Sequence, residues 1–257
     1  MQTLHTQKPD FSKIIYAPLT LQVGTVNLIT EALAIPPSFF ETSKTYWHGN
    51  TLETALQRLD GLLIESEEDN RDFPRQYIEN GELKYANALS KSFRVANLTC
   101  VPDEPASRHQ AVKFENDDFI RLRMKYAGLW KLRDEIHAPQ IKNLILSLPF
   151  DHLSLVRLCV YEDGCFTPAH VDEPSQKYKK AGYHIINIIL EAGQAQMVLK
   201  ANGNEFKCPD RAFLFDFSYP HGVPKVQGRR ILLCIEGKIN EAELSKLIKW
   251  PEVVWSK

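Results

Sequence analysis

The sequence predicts a mainly β protein with flanking helices, in which two sheets pack face to face as a double-stranded β-helix, or jelly roll. Two observations predict this fold. From about residue 153 to residue 237, stretches rich in β-forming residues alternate with turn signals, whereas helical spacing of apolar residues falls on either side of that region. Asn202-Gly203-Asn204 separates two of these stretches and is a hairpin signal.

The first half of the chain predicts mixed elements that support the β region. Residues 13–29 read as short strands broken at Pro18 and Gly24. Apolar residues from Thr51 onward recur at helical spacing, and the acidic run at 65–69 reads as a solvated connection. A loop over 98–110 precedes a helical stretch at about 128–147, which we expect to be interrupted near Pro139.

The second half predicts the sheets and a terminal helix. In RAFLFDFSYP, Phe213, Phe215 and Phe217 alternate with polar or aliphatic neighbours, as a strand requires. Asn240 and Glu243 resemble a capping box, so a helix should run from there to about residue 249. We therefore expect a single domain over 1–257, with a supporting region at 1–149, a jelly-roll core at 150–238 and a terminal helix and tail at 239–257.

Composition predicts a soluble cytoplasmic protein. Of 257 residues, 31 are Lys or Arg and 32 are Asp or Glu, so no basic excess indicates nucleic acid as a partner. The five cysteines are odd in number and form no CxxC pair, which is typical of reduced thiols. No signal-peptide pattern begins the sequence, and no apolar run is long enough to cross a membrane.

Three residues in the β region have the types and spacing of a metal site. His170 and Asp172 are two positions apart, so on a strand they point to the same side and can reach one metal. His221 follows a second strand and supplies another imidazole. Two imidazoles and one carboxylate bind one side of a mononuclear iron(II) ion and leave positions open for other ligands. Zinc accepts the same ligands, and surface histidines beside a turn aspartate remain the alternative.

The motif order resembles that of the iron(II)/2-oxoglutarate-dependent dioxygenases: His170-x-Asp172, then His221, then Arg230 nine residues later. The resemblance covers about residues 150–238. Within it, Tyr161-x-x-Gly164 before His-x-Asp is similar to the prolyl hydroxylases. Spacings similar to those of the aspartyl/asparaginyl β-hydroxylases are found at Arg157, Cys159, Gly164, Pro168 and His170.

This resemblance implies a cupin-like jelly roll that holds Fe²⁺ and uses 2-oxoglutarate and O₂ as co-substrates. It implies hydroxylation of an unactivated C–H bond, with conversion of 2-oxoglutarate to succinate and CO₂. By analogy the substrate is a free or peptidyl amino acid. A small secondary metabolite, or a jelly-roll metal-binding or sensor protein without catalysis, remains the alternative. Arg230 would grip the distal carboxylate of 2-oxoglutarate, whereas the adjacent Arg229 should point to the other sheet face.

Other residues are candidates for co-substrate or substrate contacts. Arg157 and Tyr161 lie four apart on one strand and share a face, although the tyrosine can equally pack the barrel. Asn187 lies among isoleucines, so its burial requires a hydrogen-bond partner, either a ligand or the backbone. Lys177, Lys179 and Lys180 could attract an anionic substrate or simply form a solvated loop. Substrate identity and oligomeric state stay open.

Overall fold

A computed structural model describes residues 9–21, 23–43, 46–49, 75–79, 82–89, 93–101, 126–170 and 179–256. Within these ranges only the backbone is described for 41–43, 46–49, 75–79, 82–89 and 168–170. The helix predicted from Thr51, the acidic connection at 65–69 and most of the loop predicted at 98–110 lie outside the described residues. No helix in the part of the chain that is described is long and apolar enough to span a membrane.

The described residues form three α-helices and seventeen strands. The helices are α1 (Thr25–Ala34), α2 (Pro139–Leu146) and α3 (Glu241–Ser245). The strands are β1 (Ile14–Pro18), β2 (Phe40–Ser43), β3 (Tyr46–Gly49), β4 (Arg75–Glu79), β5 (Glu82–Leu89), β6 (Phe93–Asn97), β7 (Thr99–Cys100), β8 (Lys131–Leu132), β9 (Phe150–Tyr161), β10 (Thr167–His170), β11 (Tyr183–Glu191), β12 (Met197–Ala201), β13 (Asn204–Cys208), β14 (Ala212–Phe215), β15 (His221–Val223), β16 (Arg230–Ile239) and β17 (Val254–Trp255).

The strands from β9 to β16 confirm the predicted jelly roll. A large sheet has the order β17-β1-β14-β11-β16-β9-β6-β2, and a small sheet has the order β10-β15-β12-β13. The pairs within both sheets are antiparallel. Between β9 and β16 the chain therefore crosses repeatedly from one sheet to the other, which is the topology of a double-stranded β-helix. The N-terminal half adds β1, β2 and β6 to the large sheet.

The two faces of the large sheet bury different partners because side chains alternate along each strand. On the outer face, Ile186 and Leu233 pack in one cluster with Ile141 of α2 and with Leu28 of α1. The alternate residues of the same strands point to the other face, where they form a second cluster with residues of the small sheet. The inner cluster includes Ile185, Ile189, Met197, Leu199, Phe213, Phe215 and Phe217. The space between the sheets is therefore lined mainly by apolar side chains, against which any polar side chain stands out.

Local elements were predicted with mixed success. The hairpin at Asn202-Gly203 is confirmed, with φ of 53° and 80° at its two residues. The helix expected at 128–147 is wrong in its first half: α2 begins at Pro139, where a proline fits the first turn of a helix. Gly24 does not interrupt strands but precedes α1. Asn240 caps α3 by accepting a hydrogen bond from the Glu243 backbone N–H at 3.2 Å, yet the helix ends at Ser245.

The cysteines are all free, as the sequence predicts. Cys159, Cys165, Cys208 and Cys234 are buried, and Cys100 is partly exposed. Burial raises the pKa of the Cys159 and Cys208 thiols to about 12, so both stay protonated at neutral pH.

Candidate active site

The two histidines of the predicted metal site lie directly opposite each other on neighbouring strands. β10 pairs with β15, and His170 is in register with His221. Opposite residues of an antiparallel pair have Cα atoms about 5 Å apart. The same pair of strands aligns Thr167 with Val223, so β10 has one extra residue between the two pairs, a bulge of the kind found beside active sites.

The third predicted ligand, Asp172, and the side chain of His170 lie outside the described residues. Within the described ranges, no group of three His, Cys, Asp or Glu side chains could hold a metal. Of the three predicted ligands, the described structure therefore brings together His170 and His221, through the register of their strands.

The imidazole of His221 is held in one orientation and one tautomer. It is 7% exposed, and its Nδ1 lies 2.9 Å from the carbonyl oxygen of Tyr219. Because a carbonyl only accepts hydrogen bonds, Nδ1 carries the proton and Nε2 carries the lone pair. Histidines that bind metals are commonly oriented by such a bond from the second nitrogen. The ring of Phe215 meets the imidazole edge to face, with 4.9 Å between ring centroids. His221 thus fits the role of a metal ligand.

The segment before His221 carries the chain from the large sheet to the small one. Asp216 directly follows the large-sheet strand β14, and its Oδ1 accepts hydrogen bonds from the backbone N–H and the hydroxyl of Ser218 at 3.0 and 2.6 Å. Tyr219 donates its backbone N–H to the Asp216 carbonyl at 3.1 Å. Short polar side chains stabilise tight turns in this way. The turn directs His221 into β15, beside β10.

Arg230 is a buried cation with no ion-pair partner among the described residues. It begins β16, opposite Tyr161, and is 1% exposed. Its Nη1 donates to the Ala195 carbonyl at 2.7 Å, while its buried Nε has no hydrogen-bond partner. Burial lowers the pKa of the guanidinium, and the nearby groups that oppose this shift are neutral side chains rather than carboxylates. Buried charges in proteins are normally paired, so Arg230 presents a site for an anion.

Tyr161 lies beside Arg230 and links it to β10. Its hydroxyl is 3.0 Å from Oγ1 of Thr167, and its ring stacks on Phe93 with 4.3 Å between centroids. Burial raises the pKa of the Tyr161 phenol, so the hydroxyl remains a hydrogen-bond donor at neutral pH. Thr167 is three residues before His170, a separation of at most about 10 Å along the strand. Arg230 and Tyr161 therefore lie beside β10, the strand that carries His170.

Arg157 and Asn187 lie on the same inner face, at a different level from Arg230. Both residues are in register with Cys234 of β16, four residues beyond Arg230. The Nη2 of Arg157 lies 3.2 Å from Oε1 of Glu236, whose side chain is 1% exposed. Asn187 is 3% exposed. The structure thus separates the predicted co-substrate contacts into two groups: Arg230 with Tyr161, and Arg157 with Asn187.

The roles of three charged residues in this region, Glu236, Lys179 and Asp216, were not predicted from the sequence. Glu236 follows Arg230 at even spacing in RRILLCIEG, and that alternation could have placed it on the inner face. Lys179 does not belong to a solvated loop, because its ammonium contacts the buried Asp216 carboxylate at 2.5 Å. Of the other lysines, Lys180 is exposed and Lys177 lies outside the described residues. No local pattern indicated the Lys179–Asp216 pair.

Arg229 lies in a different environment from Arg230, as the alternation of side chains along the strand predicts. Its Nε donates to Oε2 of Glu191 at 2.7 Å, and both side chains are about one-third exposed. The hydrogen bond to Glu191 raises the pKa of the guanidinium. Arg229 therefore forms an ordinary ion pair near the surface, in contrast to Arg230.

Comparison with known proteins gives weak similarities. No protein-family model matches this sequence. Among curated proteins, a threonine–tRNA ligase of Mycobacteroides abscessus is 24% identical over 205 residues, which cover 73% of this chain and 28% of the ligase. The corresponding ligase of Mycobacterium tuberculosis is 24% identical over 231 residues, or 81% of this chain and 31% of the ligase. The chain spans about a third of the length of these relatives.

The similar solved structures include iron oxygenases. A 2-oxoglutarate–Fe(II) oxygenase family oxidoreductase from Burkholderia pseudomallei is 12% identical, with a TM-score of 0.36 over 87% of this chain and 96% of that one. A prolyl hydroxylase from Trichoplax adhaerens is 14% identical, with a TM-score of 0.31 over 86% and 91%. A Pseudomonas putida prolyl-4-hydroxylase is 18% identical, with a TM-score of 0.30 over 48% and 79%. These values do not assign a family, so function depends on the residues of the chain itself.

Proposed function

We propose that this protein is an iron(II)- and 2-oxoglutarate-dependent oxygenase that hydroxylates an unactivated C–H bond of a free or peptidyl amino acid. One observation carries the proposal: Arg230 is a buried cation without a carboxylate partner in the described residues, and Tyr161, opposite it, contacts Thr167, three residues before His170. A protein that only bound a metal would have no use for such a cation.

His170, Asp172 and His221 would hold the iron. The tautomer of His221 that donates to the Tyr219 carbonyl leaves Nε2 as the ligand atom. When bound, the iron supplies the oxidation that couples conversion of 2-oxoglutarate and O₂ into succinate and CO₂ to hydroxylation of the substrate. The protein contributes the placement of the reactants and the exclusion of water by the apolar side chains between the sheets.

Arg230 would bind the distal carboxylate of 2-oxoglutarate. A guanidinium can form two parallel charge-assisted hydrogen bonds with a carboxylate, and Nε of Arg230 has no other hydrogen-bond partner. The neutral phenol of Tyr161, which faces Thr167, can donate to the same carboxylate. A carboxylate there would neutralise the buried cation, so binding of 2-oxoglutarate should also stabilise the fold.

The free cysteines favour a reducing, cytoplasmic location for the protein. We also propose that residues 1–257 form a single domain. Two functions compete with this proposal: the same oxidation of a small secondary metabolite, and metal binding without catalysis. We do not propose nucleic acid or membranes as partners. The likeness to threonine–tRNA ligases supports no second function, because it covers less than a third of those proteins.

Two measurements test the proposal. Iron-loaded protein should form succinate from 2-oxoglutarate when oxygen is admitted, and His170→Ala should not. Anaerobic calorimetry should then compare Arg230→Met with Arg229→Met. Loss of the buried charge-assisted bonds should weaken 2-oxoglutarate binding about 100-fold in Arg230→Met while iron content is unchanged. Arg229→Met should bind as the wild type does, because Arg229 pairs with Glu191. Undiminished binding in Arg230→Met, or no succinate from the iron-loaded wild type, would overturn the proposal.

A further inference from the structure

The turn that precedes His221 is fixed at both of its ends. At its start, the backbone N–H of Asp216 donates to the Ile15 carbonyl of β1 at 2.7 Å. At its end, the Pro220 carbonyl accepts a hydrogen bond from the backbone N–H of Lys200 of β12 at 2.8 Å. Because β1 belongs to the large sheet and β12 to the small one, the turn bridges the two sheets. Its conformation therefore decides how His221 enters β15.

Asp216 organises the middle of this turn. Its Oδ1 accepts two hydrogen bonds from Ser218, and its backbone carbonyl accepts the N–H of Tyr219. The carbonyl of Tyr219 is in turn the acceptor for Nδ1 of His221 at 2.9 Å. A short chain of hydrogen bonds thus leads from Asp216 to the imidazole of His221.

Lys179 fixes the second oxygen of the same carboxylate. Its ammonium contacts Oδ2 of Asp216 at 2.5 Å and donates to the Ile14 carbonyl of β1 at 3.3 Å. The side chains of Lys179 and Asp216 are 5% and 1% exposed. Both carboxylate oxygens of Asp216 therefore have partners, and the carboxylate cannot turn without breaking a buried contact.

A buried ion pair at this place requires an explanation other than stability. Because both charges must leave water, such a pair seldom stabilises a fold more than apolar residues of similar volume would. What the pair adds is a single geometry, since charge-assisted hydrogen bonds are short and directional. The geometry that Lys179 and Asp216 define is that of the turn, and the turn leads to His221.

We propose that Asp216 and Lys179 are positioning residues for His221. Asp216 holds the Tyr219 carbonyl where it accepts the Nδ1–H of His221, and Lys179 holds the Asp216 carboxylate. Together they keep the imidazole in one orientation and in the tautomer that has its lone pair on Nε2. The inference rests on the proposed function, since that function makes His221 a metal ligand.

The first test measures the tautomer of His221 in metal-free protein. The nitrogen chemical shifts of an imidazole distinguish a protonated nitrogen from one with a lone pair, and comparison with His221→Ala assigns the signals. At a pH well above the usual pKa of histidine, we expect the Nδ1–H tautomer alone in the wild type and a mixture in Asp216→Ala. Asp216→Asn retains an oxygen that can accept from Ser218, so it should keep more of the Nδ1–H form than Asp216→Ala.

The second test measures binding of cobalt(II), which suits imidazole and carboxylate ligands as iron(II) does. Competition with a chromophoric chelator gives the affinity, and the visible absorption of bound cobalt(II) reports the arrangement of its ligands. Lys179→Met and Asp216→Ala should each lower the affinity about 10-fold or more, as the loss of residues that orient metal ligands does. Both changes should also alter the absorption spectrum.

Two further variants separate positioning from loss of stability. Leu233 is buried on the outer face of the large sheet, in β16 rather than in the turn, so the cavity in Leu233→Ala destabilises the fold at another place. Its tautomer, spectrum and cobalt affinity should match the wild type. Ser218→Ala covers the case in which Asp216→Ala does not fold. It removes only the hydroxyl contact with Oδ1 and should shift the tautomer in the same direction.

Three results would overturn the inference. One is the wild-type tautomer in both Asp216→Ala and Ser218→Ala, and another is an unchanged cobalt affinity in Lys179→Met. The third is an equal loss of affinity in Leu233→Ala and Lys179→Met, which would assign the effect to stability. All three leave the proposed function standing, whereas a wild type that binds neither cobalt(II) nor iron(II) would overturn the function itself.

Discussion

The ammonium of Lys179 lies 2.5 Å from a carboxylate oxygen of Asp216, and both side chains are buried. The pair joins two segments that matter for the proposed metal site. Lys179 is seven residues beyond Asp172, and Asp216 is five residues before His221. Asp216 also organises the turn that leads to His221, through its bonds to Ser218. The ion pair therefore ties the chain after one predicted ligand to the turn before another.

Replacing Lys179 with Met should destabilise the protein by about 3–5 kcal/mol, because it leaves the Asp216 carboxylate buried without its partner. The double variant Lys179→Met/Asp216→Asn should lose less stability than the sum of the losses in the two single variants, because no unpaired charge remains. Urea unfolding of the four proteins measures this. Lys246→Met is the control: Lys246 forms an exposed pair with Glu243, and its loss should cost less than about 1 kcal/mol. Additive losses would contradict a coupled pair.

Iron binding should depend on both histidines that β10 and β15 place opposite each other. We expect His170→Ala and His221→Ala each to lower iron(II) affinity by about 100-fold or more, since even residues that only orient metal ligands change affinity 10- to 100-fold. Anaerobic competition with a chromophoric chelator measures the affinity. His137→Ala should bind iron normally, because His137 is exposed and far from both strands in the sequence. Normal iron binding by His221→Ala would exclude it as a ligand.

The jelly roll and the positions of Arg230 and His221 could be predicted because each depends on local patterns. Strand alternation predicted that Phe213 and Phe215 share one face, and in the structure both belong to the inner cluster. The helix expected from residue 128 failed for a physical reason. Leu129, Leu132 and Ile136 imitate helical spacing, but Gly128 adopts a φ of 77° and β8 pairs with β7. A long-range strand pairing outcompeted a weak local preference for helix.

Ion pairs were beyond sequence prediction because they join distant parts of the chain. Lys179 and Asp216 are 37 residues apart, and Arg157 and Glu236 are 79 apart. Their contacts depend on which strands become neighbours, which alternation within one strand does not reveal. Once β9 and β16 are adjacent, the register that aligns Arg157 with Cys234 brings Glu236 within reach. On the other side of β16, Cys234 is in register with Asn187 of β11.

Removal of the Tyr161 hydroxyl should weaken 2-oxoglutarate binding about 10-fold, if the phenol donates to the distal carboxylate beside Arg230. Tyr161→Phe keeps the stacking on Phe93 and loses only the contact with Thr167. Calorimetry with 2-oxoglutarate measures the effect. Tyr16→Phe is a matched control, because the Tyr16 hydroxyl donates instead to Asp210 at 2.8 Å. Equal affinities in the two variants would assign Tyr161 to packing alone.

Protein stability should fall as the pH drops from about 6.5 to about 4, in part because of His184. This residue lies on the outer face of the large sheet, beside the ring of Phe11, and is 5% exposed. Burial, and then the Lys179 ammonium, lower the pKa of the imidazole to about 4, although the Asp216 carboxylate opposes this. In that pH range the unfolded chain binds a proton at His184 and the folded chain does not, which favours unfolding.

The expected loss from His184 over this range is about 3 kcal/mol, from the difference between a pKa of 6.5 and one of about 4. Urea unfolding at pH 7 and pH 4.5 measures it. His184→Phe should remove most of this dependence, because an aromatic ring of similar size fills the site and does not titrate. His137→Ala should keep the wild-type dependence, since His137 is exposed. The same loss of stability in His184→Phe as in the wild type would show that other groups cause it.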